Sequence, residues 1–561
     1  MKSKVFRLFF LAVLAAALGA QTIHEPNNDI YKDIDRWAVQ GYVRQFLPLI
    51  QPYPAPLIDK ILSEVITNGD ADARAKAAKY KSVTEPGSRG IHVGVLGYIQ
   101  GGKIQDDSGK TFTLIGAPLA EGLLRINNLL SASYNLSMYG YTGDGKGERY
   151  NVPGTYNPYP DFISDVASIG PFEIRQEWTS LMAIGKSNVY FQAGLARTSV
   201  GPFYDNGVVV GPQAPRAGHF SFVYYQPRWS FEMLFQTLTA TDDFGQEKFA
   251  DKYNVIHTFL FRPIENLELG FMEAVVWGKR IDPLYLVPFS YLFASQAMAG
   301  FDDNSFIGLH VRWRPIDTVL LKTQVYIDDF PFNGIFSGNQ KYKLAGELGG
   351  SWAPKRSFLS KLDFDYTAVL PYCYTHWAVP DDTRYNGYDG TSYDTPVANY
   401  LNYTHLGRNI GPDLEPNSDR ISVRSSWKTI PSIDLNLSVY FTRHGNASEG
   451  KPELDQNIHD GSIFDDGATD PWITLDPNNH SVKNPYENLQ FLNQDVIDTR
   501  IGGGFGVTWT IPIPAQFGVL KLSGGYGAEY GWNRSTYGDA RPIKDNNGLE
   551  HFWSIGGMYS W

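Results

Sequence analysis

The chain has 561 residues, of which 14% are aromatic and 55 are glycine, and its 59 acidic against 48 basic side chains give a net charge of −11. That balance excludes diffuse attraction to nucleic acid or other polyanions, and a single cysteine, Cys373, excludes an intrachain disulfide. Aromatic and glycine contents this high suit strands with interfacial girdles and frequent turns better than they suit a soluble enzyme.

Residues 1–20 read as an export signal. Lys2, Lys4 and Arg7 form a positive start, Leu8 to Leu18 an apolar run, and Ala17, Gly19 and Ala20 offer a small-residue cleavage site. Without the three leader cations the net charge of −11 becomes −14. No cysteine lies beside the cleavage point, so no lipid anchor is expected. After Ala20 no run reaches the roughly 18 apolar residues of a transmembrane helix. A mature chain that spans a membrane must therefore do so with strands.

Residues 21–88 are predicted as a helical periplasmic bundle that caps the barrel mouth. Ile30, Ile34 and Trp37 recur at helical spacing up to Gly41. Leu57, Ile58, Ile61, Leu62, Val65 and Ile66 form an apolar stripe between Pro56 and Asn68-Gly69. Neither segment is long enough to stand alone, and Ala71 to Tyr80 completes the bundle.

From residue 89 to 561 the period becomes 2, as where Leu130, Ala132, Tyr134, Leu136 and Met138 alternate with Ser131, Ser133, Asn135 and Ser137. Such segments predict strands near 90–100, 119–126, 130–141, 173–184, 188–197, 218–225, 229–239, 253–261 and 266–278. The second half adds 306–313, 318–328, 342–352, 362–371, 419–427, 433–442, 498–511, 517–531 and 548–561. The fold class is an all-β transmembrane barrel, antiparallel, of about eighteen strands, an even number as in bacterial single-chain barrels. Alternate links are short and often carry proline, as at Gln226-Pro227, Arg262-Pro263 and Arg314-Pro315. Parity then puts the helices and the C-terminus on the periplasmic side, in a barrel of the outer membrane embedded in its lipid.

The alternation points Glu173, Arg175, Glu177, Lys322, Asp328, Asp363, Asp365, Arg420, Arg424, Asp498 and Arg500 into the lumen. Both signs occur in similar number, so internal ion-pair networks are expected rather than a field selecting one ion sign. Glu273 falls on the apolar face of Leu269 and Phe271, which demands a bulge or a slip of register there. In the last strand, Ser554, Gly556, Tyr559 and Trp561 form a polar-x-Gly-x-x-aromatic-x-aromatic ending that resembles the signal read by the barrel-assembly machinery.

Two long links are the candidate binding surfaces. Tyr385, Tyr388, Tyr393, Tyr400 and Tyr403 are interleaved with Asn386, Asp389, Asp394 and Asn399, which sets flat apolar faces beside hydrogen-bonding groups, as sugar rings require. The acidic stretch 444–490 carries Asp455, Asp460, Asp465, Asp466, Asp470 and Asp476, whose oxygens suit Ca²⁺ but not at the spacing of an EF-hand; a solvated acidic loop is expected, Ca²⁺ binding stays open as the alternative, and no metal site is assigned. His376, His405, His444 and His459 have no nucleophile pattern and no metal-ligand spacing, so no catalytic residue and no cofactor are expected. Gly502-Gly503-Gly504 lies inside a strand pattern and is no phosphate loop.

Several segments resemble, in order, the capsule assembly Wzi family. They are Asp33-Ile-Asp-Arg-Trp-Ala-Val-Gln-Gly41 with Tyr53-Pro54, Leu195-Ala-Arg-Thr-Ser-Val-Gly-Pro202, Phe259 to Gly278, Tyr285-Leu-Val-Pro288, Asp302-Asp-Asn304, Ile327-Asp-Asp-Phe330 and Asn402 to Pro412. The resemblance implies an outer-membrane barrel with a helical N-terminal bundle. It also implies a lectin-like, non-catalytic role: holding capsular or other surface polysaccharide on the cell. A substrate-selective, porin-like channel and a structural or adhesive barrel stay open as alternatives, since about eighteen strands leave room for a lumen. The oligomeric state is not fixed by the sequence.

Overall fold

The computed structural model describes residues 28–86, 89–103, 111–143, 163–203, 206–241, 247–299, 303–329, 342–376, 398–430, 432–446, 491–511, 518–535 and 541–560, with Pro26 and Ile463. Three helices come first: α1 (Asp29–Val39), α2 (Ala55–Asn68) and α3 (Ala71–Thr84). The Asn28 side chain caps α1 by accepting the Ile30 N–H, and the Asp70 side chain caps α3 by accepting the Ala73 N–H. Pro56 sits in the first turn of α2, where its missing N–H costs nothing. Of the predicted α2 stripe, Leu57, Ile58, Ile61, Leu62 and Val65 are completely buried and Ile66 packs partly buried against them.

The barrel strands are β1 (Arg89–Lys103), β2 (Thr111–Arg125), β3 (Leu130–Gly143), β4 (Phe172–Lys186), β5 (Val189–Ala196), β6 (Ala217–Gln226), β7 (Trp229–Thr241), β8 (Glu247–Ile264) and β9 (Leu267–Gly278). They continue, after a short helix α4 (Leu292–Ala299), with β10 (Asn304–Ile316), β11 (Val319–Asp329), β12 (Lys343–Trp352), β13 (Leu359–Val369), β14 (Ser418–Ile430), β15 (Ile433–Gly445), β16 (Ile497–Ile511), β17 (Val519–Trp532) and β18 (Gly548–Ser560). Each pairs antiparallel with the next, and β1 closes the cylinder on β18 from Gly94↔Ser560 to Lys103↔His551. A short strand, Ile163–Ile169, lies alongside the first residues of β4 and extends the wall.

All eighteen predicted strands are present, several longer than their periodicity indicates. β2 begins at Thr111 rather than near 119, because Gly116 and Pro118 break its apolar pattern. Its pairing to β3 skips Ala117 and Pro118, as expected of a residue with no N–H to donate. Outward positions such as Val95, Phe112, Phe259, Leu309, Leu348 and Phe505 remain exposed, giving an apolar outer band. No described helix is long and apolar enough to cross a membrane. The chain is an outer-membrane-type barrel that spans with strands.

The helices occupy the end with the short turns, the periplasmic end by the usual rule of such barrels. Thr318 N–H, in the β10–β11 turn, donates to Val39 O at 2.9 Å, and Gln40 donates to Pro354 O between β12 and β13. The bundle does more than cap the mouth. Its apolar core, built on Trp37, Leu57 and Ile61, is continuous with inward-facing Tyr190, Val223, Leu234, Ile256 and Leu260 of β5 to β8.

Candidate ligand-binding lumen

The lumen is filled from both ends. From the helical end, the chain between α1 and α2 climbs the inner wall of β7, where the buried Glu232 carboxylate accepts the N–H groups of Leu49 and Ile50 at 2.9 and 3.0 Å and the Ser230 hydroxyl at 3.1 Å. Ile50–Gln51 then pairs antiparallel with Ser199–Val200, a segment arriving from the opposite end. Gln192 donates to Pro52 O at 3.0 Å, and Arg262 donates to the carbonyls of Arg44 and Gln45 while pairing with Glu268 at 2.7 Å. Lys361 on β13 pairs with Asp35 of α1. Every one of these polar contacts satisfies a group that the plug takes out of water.

From the other end, the link between β5 and β6 and the link between β13 and β14 fold inward together. Val208, Val209 and Val210 are buried to 1% or less, and backbone there needs partners. Tyr374 Oη donates to Val208 O at 2.6 Å and Tyr403 Oη to Val209 O at 2.8 Å. Arg197 donates to Gln213 O and Ala214 O, and Gln213 to Gly411 O. Lys252 Nζ is held by Asn402 Oδ1 at 2.6 Å and Thr404 Oγ1 at 3.1 Å. His405 accepts the Thr239 N–H at Nδ1, which leaves Nε2 to donate to Arg216 O at 2.9 Å, so both ring nitrogens are engaged in structure.

The residues assigned to the lumen fall into separate groups. Glu177 pairs with Arg216 and accepts from Tyr139 Oη. Glu173 accepts from Tyr141 Oη and lies 3.8 Å from Arg175. Lys322, Asp365 and Arg424 form one network, beside Asp363, which pairs with Lys361 at 2.8 Å. Asp498 and Arg500 form another with Glu529. Asp328 accepts the Tyr374 N–H, and Arg420 donates to Thr442 and to Asp413 O. Glu232, Lys252 and Arg216 were not singled out by the sequence. Glu232 was within its reach, since it stands on the polar side of the Trp229, Phe231, Met233, Phe235 alternation.

Filling is uneven around the wall. Glu232 and Lys252, on β7 and β8, are 0% exposed. Across the lumen, the side chains of Arg443, Arg175 and Arg500 are 43%, 33% and 27% exposed despite their ion pairs. Small residues line that sector, and Tyr440 lies against Gly502, where a Cβ would meet its ring. Its hydroxyl donates to Glu529 at 2.5 Å. Among the described residues, the more exposed charged side chains of the inner wall thus lie on β4, β15 and β16.

Glu273 corrects the expectation of a bulge or slip. Its register with β8 and β10 is unbroken from Leu269 to Val276, and it does face outward. It is nevertheless only 6% exposed, because residues 279–299 fold back down the outside of the barrel. Phe289 stacks on Phe231 with centroids 4.0 Å apart, Ser290 O contacts His257 Nδ1 at 3.1 Å, and His257 stands 3.5 Å from Glu273.

Tyr385, Tyr388, Tyr393 and Asn386 lie outside the described residues, as do Trp561 and the six aspartates of the acidic stretch. Asn399 is fully buried: its Oδ1 accepts the N–H groups of Leu401 and Asn402, and its Nδ2 donates to His376 O. Tyr400 and Tyr403 are buried too. Ile463 lies in the barrel core, its carbonyl accepting from Asn402. Ser554, Gly556 and Tyr559 lie in β18 between β17 and β1, with Tyr559 opposite exposed Val95. Among the described residues no group of His, Cys, Asp and Glu is gathered to hold a metal ion.

No family model and no curated protein matches this sequence. Among solved structures the chain is similar to Wzi of Escherichia coli, an outer-membrane protein involved in group 1 capsule assembly and described as a carbohydrate-binding β-barrel. The TM-score is 0.52 at 12% identity, over 96% of this chain and 99% of that one. It also overlaps OprD of Pseudomonas aeruginosa (TM-score 0.38, 9% identity, 84% and 93% covered) and OccAB2 of Acinetobacter baumannii (0.40, 10%, 84% and 98%). The Wzi likeness extends to nearly the whole of both chains and is a likeness of fold.

Proposed function

We propose that this protein is a Wzi-type barrel that binds and retains capsular or other surface polysaccharide at the outer face of the cell, without catalysis. The observation that carries the reading is the double plug. A diffusion channel of about eighteen strands needs a continuous aqueous path, whereas here two inward folds meet at the Ile50–Val200 pairing and share one apolar core. Such a wall supports external loops rigidly. In this reading Tyr385, Tyr388 and Tyr393 supply stacking faces and Asn386 hydrogen bonds to sugar hydroxyls, in the link between β13 and β14 whose ends are pinned by Asn399 and Tyr374. Ser554, Gly556, Tyr559 and Trp561 are read by the barrel-assembly machinery.

A porin-like channel is the second reading, favoured by the partly exposed Arg175, Arg443 and Arg500 on the inner wall. One pair of measurements separates the two. Polysaccharide binding should be lost when the three tyrosines become alanine in a folded barrel, which should then release surface polysaccharide into the medium. Purified wild-type protein in planar bilayers should conduct little. A freely conducting barrel whose triple variant keeps all its polysaccharide would move the assignment to the channel.

A further inference from the structure

At the helical end, between the plug and the β4–β5, β6–β7 and β8–β9 turns, lies a cavity of about 610 Å³. Arg44, Lys60, Arg228 and Arg262 line it against one carboxylate, Glu265, in a chain whose net charge is −11. Arg262 is committed to the plug carbonyls and to Glu268. The other three are not. Among the described residues, Arg44 Nε donates to Gly41 O, Arg228 Nη1 to Pro263 O and Lys60 Nζ to Tyr225 Oη, all at 3.3 Å. None of the three has a described carboxylate within 4.0 Å. The nearby Glu64 carboxylate is occupied by the N–H groups of Arg44 and Gln45. Burial lowers the pKa of the Lys60 ammonium, and attraction to the Glu64 carboxylate offsets that only in part.

The cavity also opens where the apolar outer wall begins. Ile264 lines it and is 55% exposed. Beside it, outward-facing Trp229 meets Tyr224 edge-on at 5.2 Å and stacks with Phe259 at 6.2 Å, so aromatic rings continue from the rim up the outside of the barrel. Cations below and an apolar ladder above fit an amphipathic anion, with guanidinium forks suited to phosphate oxygens.

We propose that this cavity holds the phosphate headgroup of an anionic phospholipid from the adjoining membrane leaflet, with Arg44, Lys60 and Arg228 as its ligands and the Trp229–Phe259 face against its acyl chains. The test uses the full-length barrel in detergent and native mass spectrometry after incubation with phosphatidylglycerol or phosphatidylcholine. Wild type should retain phosphatidylglycerol selectively. Arg44→Gln/Lys60→Gln/Arg228→Gln should lower that retention on the order of tenfold while the heat-modifiable mobility of the folded barrel is unchanged. Should the triple variant fail to fold, the single Arg228→Glu on the exposed turn should give the same loss. Equal retention of both lipids, or retention unaffected by the substitutions, overturns the proposal. Displacement of the lipid by micromolar glycerol 3-phosphate or by an oligogalacturonate overturns it as well, since a soluble anion would then be the ligand.

Discussion

The Glu232 carboxylate, sealed inside the wall of β7, accepts the backbone N–H of Leu49 at 2.9 Å, and the same oxygen also takes Ile50. One side chain thereby anchors the inner plug to the barrel across 183 positions of sequence. Glu232→Ala would orphan two buried donors, at about 1–3 kcal/mol each. Glu232→Gln keeps a carbonyl oxygen in place and should cost far less. Thermal denaturation and limited proteolysis of the helical segment check this: the alanine variant should release a protease-sensitive N-terminal region while the glutamine variant stays close to wild type. Equal behaviour of the two would mean that the carboxylate is incidental to docking.

The outer plug has a matching pair of clasps. Tyr374→Phe with Tyr403→Phe removes the hydroxyls that satisfy Val208 O and Val209 O. A loss of about 1–3 kcal/mol per buried carbonyl is expected, confined to the inward-folded links and leaving the strands paired. Hydrogen exchange should rise in residues 206–214 and stay low in β6 and β7. Uniform change across the barrel would contradict a local clasp.

Cys373 reports on that same plug. It is 0% exposed, and burial pushes its thiol pKa well above the ordinary value. The reactive thiolate is therefore scarce in the folded protein at pH 8, and only pH values beyond that raised pKa would populate it. A maleimide should leave the native protein unlabelled at pH 8 and label it fully once denatured. The Tyr374/Tyr403 double variant should label measurably faster than wild type.

At the closing seam, Gly556 in β18 lies where a Cβ would overlap the ring of Tyr98 in β1. Gly556→Val should lower the yield of folded barrel. Part of the effect should be recovered by Tyr98→Ala, because the two residues share one space and their effects should not add. Strict additivity would assign Gly556 to the assembly signal alone rather than to close contact at the seam.

The strands were legible because lipid on one side and a crowded lumen on the other impose a period of 2 on nearly every segment, as in Trp229-Ser-Phe-Glu-Met-Leu-Phe235. Their ends were less so: β8 begins six residues earlier than its apolar pattern, because in Glu247 to Lys252 the apolar Phe249 and Ala250 are adjacent and do not alternate with polar residues. The helices were legible from their stripes, but their docking was not, since Leu49 with Glu232, and Asp35 with Lys361, are contacts between distant segments that no local pattern encodes. The misjudged position was Glu273. Period alone put its side chain on the outer face, correctly, but could not show that residues 279–299 return to cover it. Of the proposed sugar-contact residues, Asn399, Tyr400 and Tyr403 are described, and all three are buried: an asparagine read as a hydrogen-bonding surface group serves as a turn, and two tyrosines read as stacking faces pack inside.

That returning segment has a practical corollary for anyone using the barrel as a display scaffold. Long links between strands are the customary places to graft an epitope or a tag, and the 279–303 link is long enough to invite one. Yet its residues 279–299 descend the outside of the barrel as far as Phe231, near the β6–β7 turn, and present Phe289 and Met298 outward at 61% and 86% exposure. An antibody directed at its tip would meet the hydrocarbon of the membrane rather than the medium. A charged tag inserted there would strip the cover from the His257–Glu273 pair. The short link 533–547 between β17 and β18 is the better graft site.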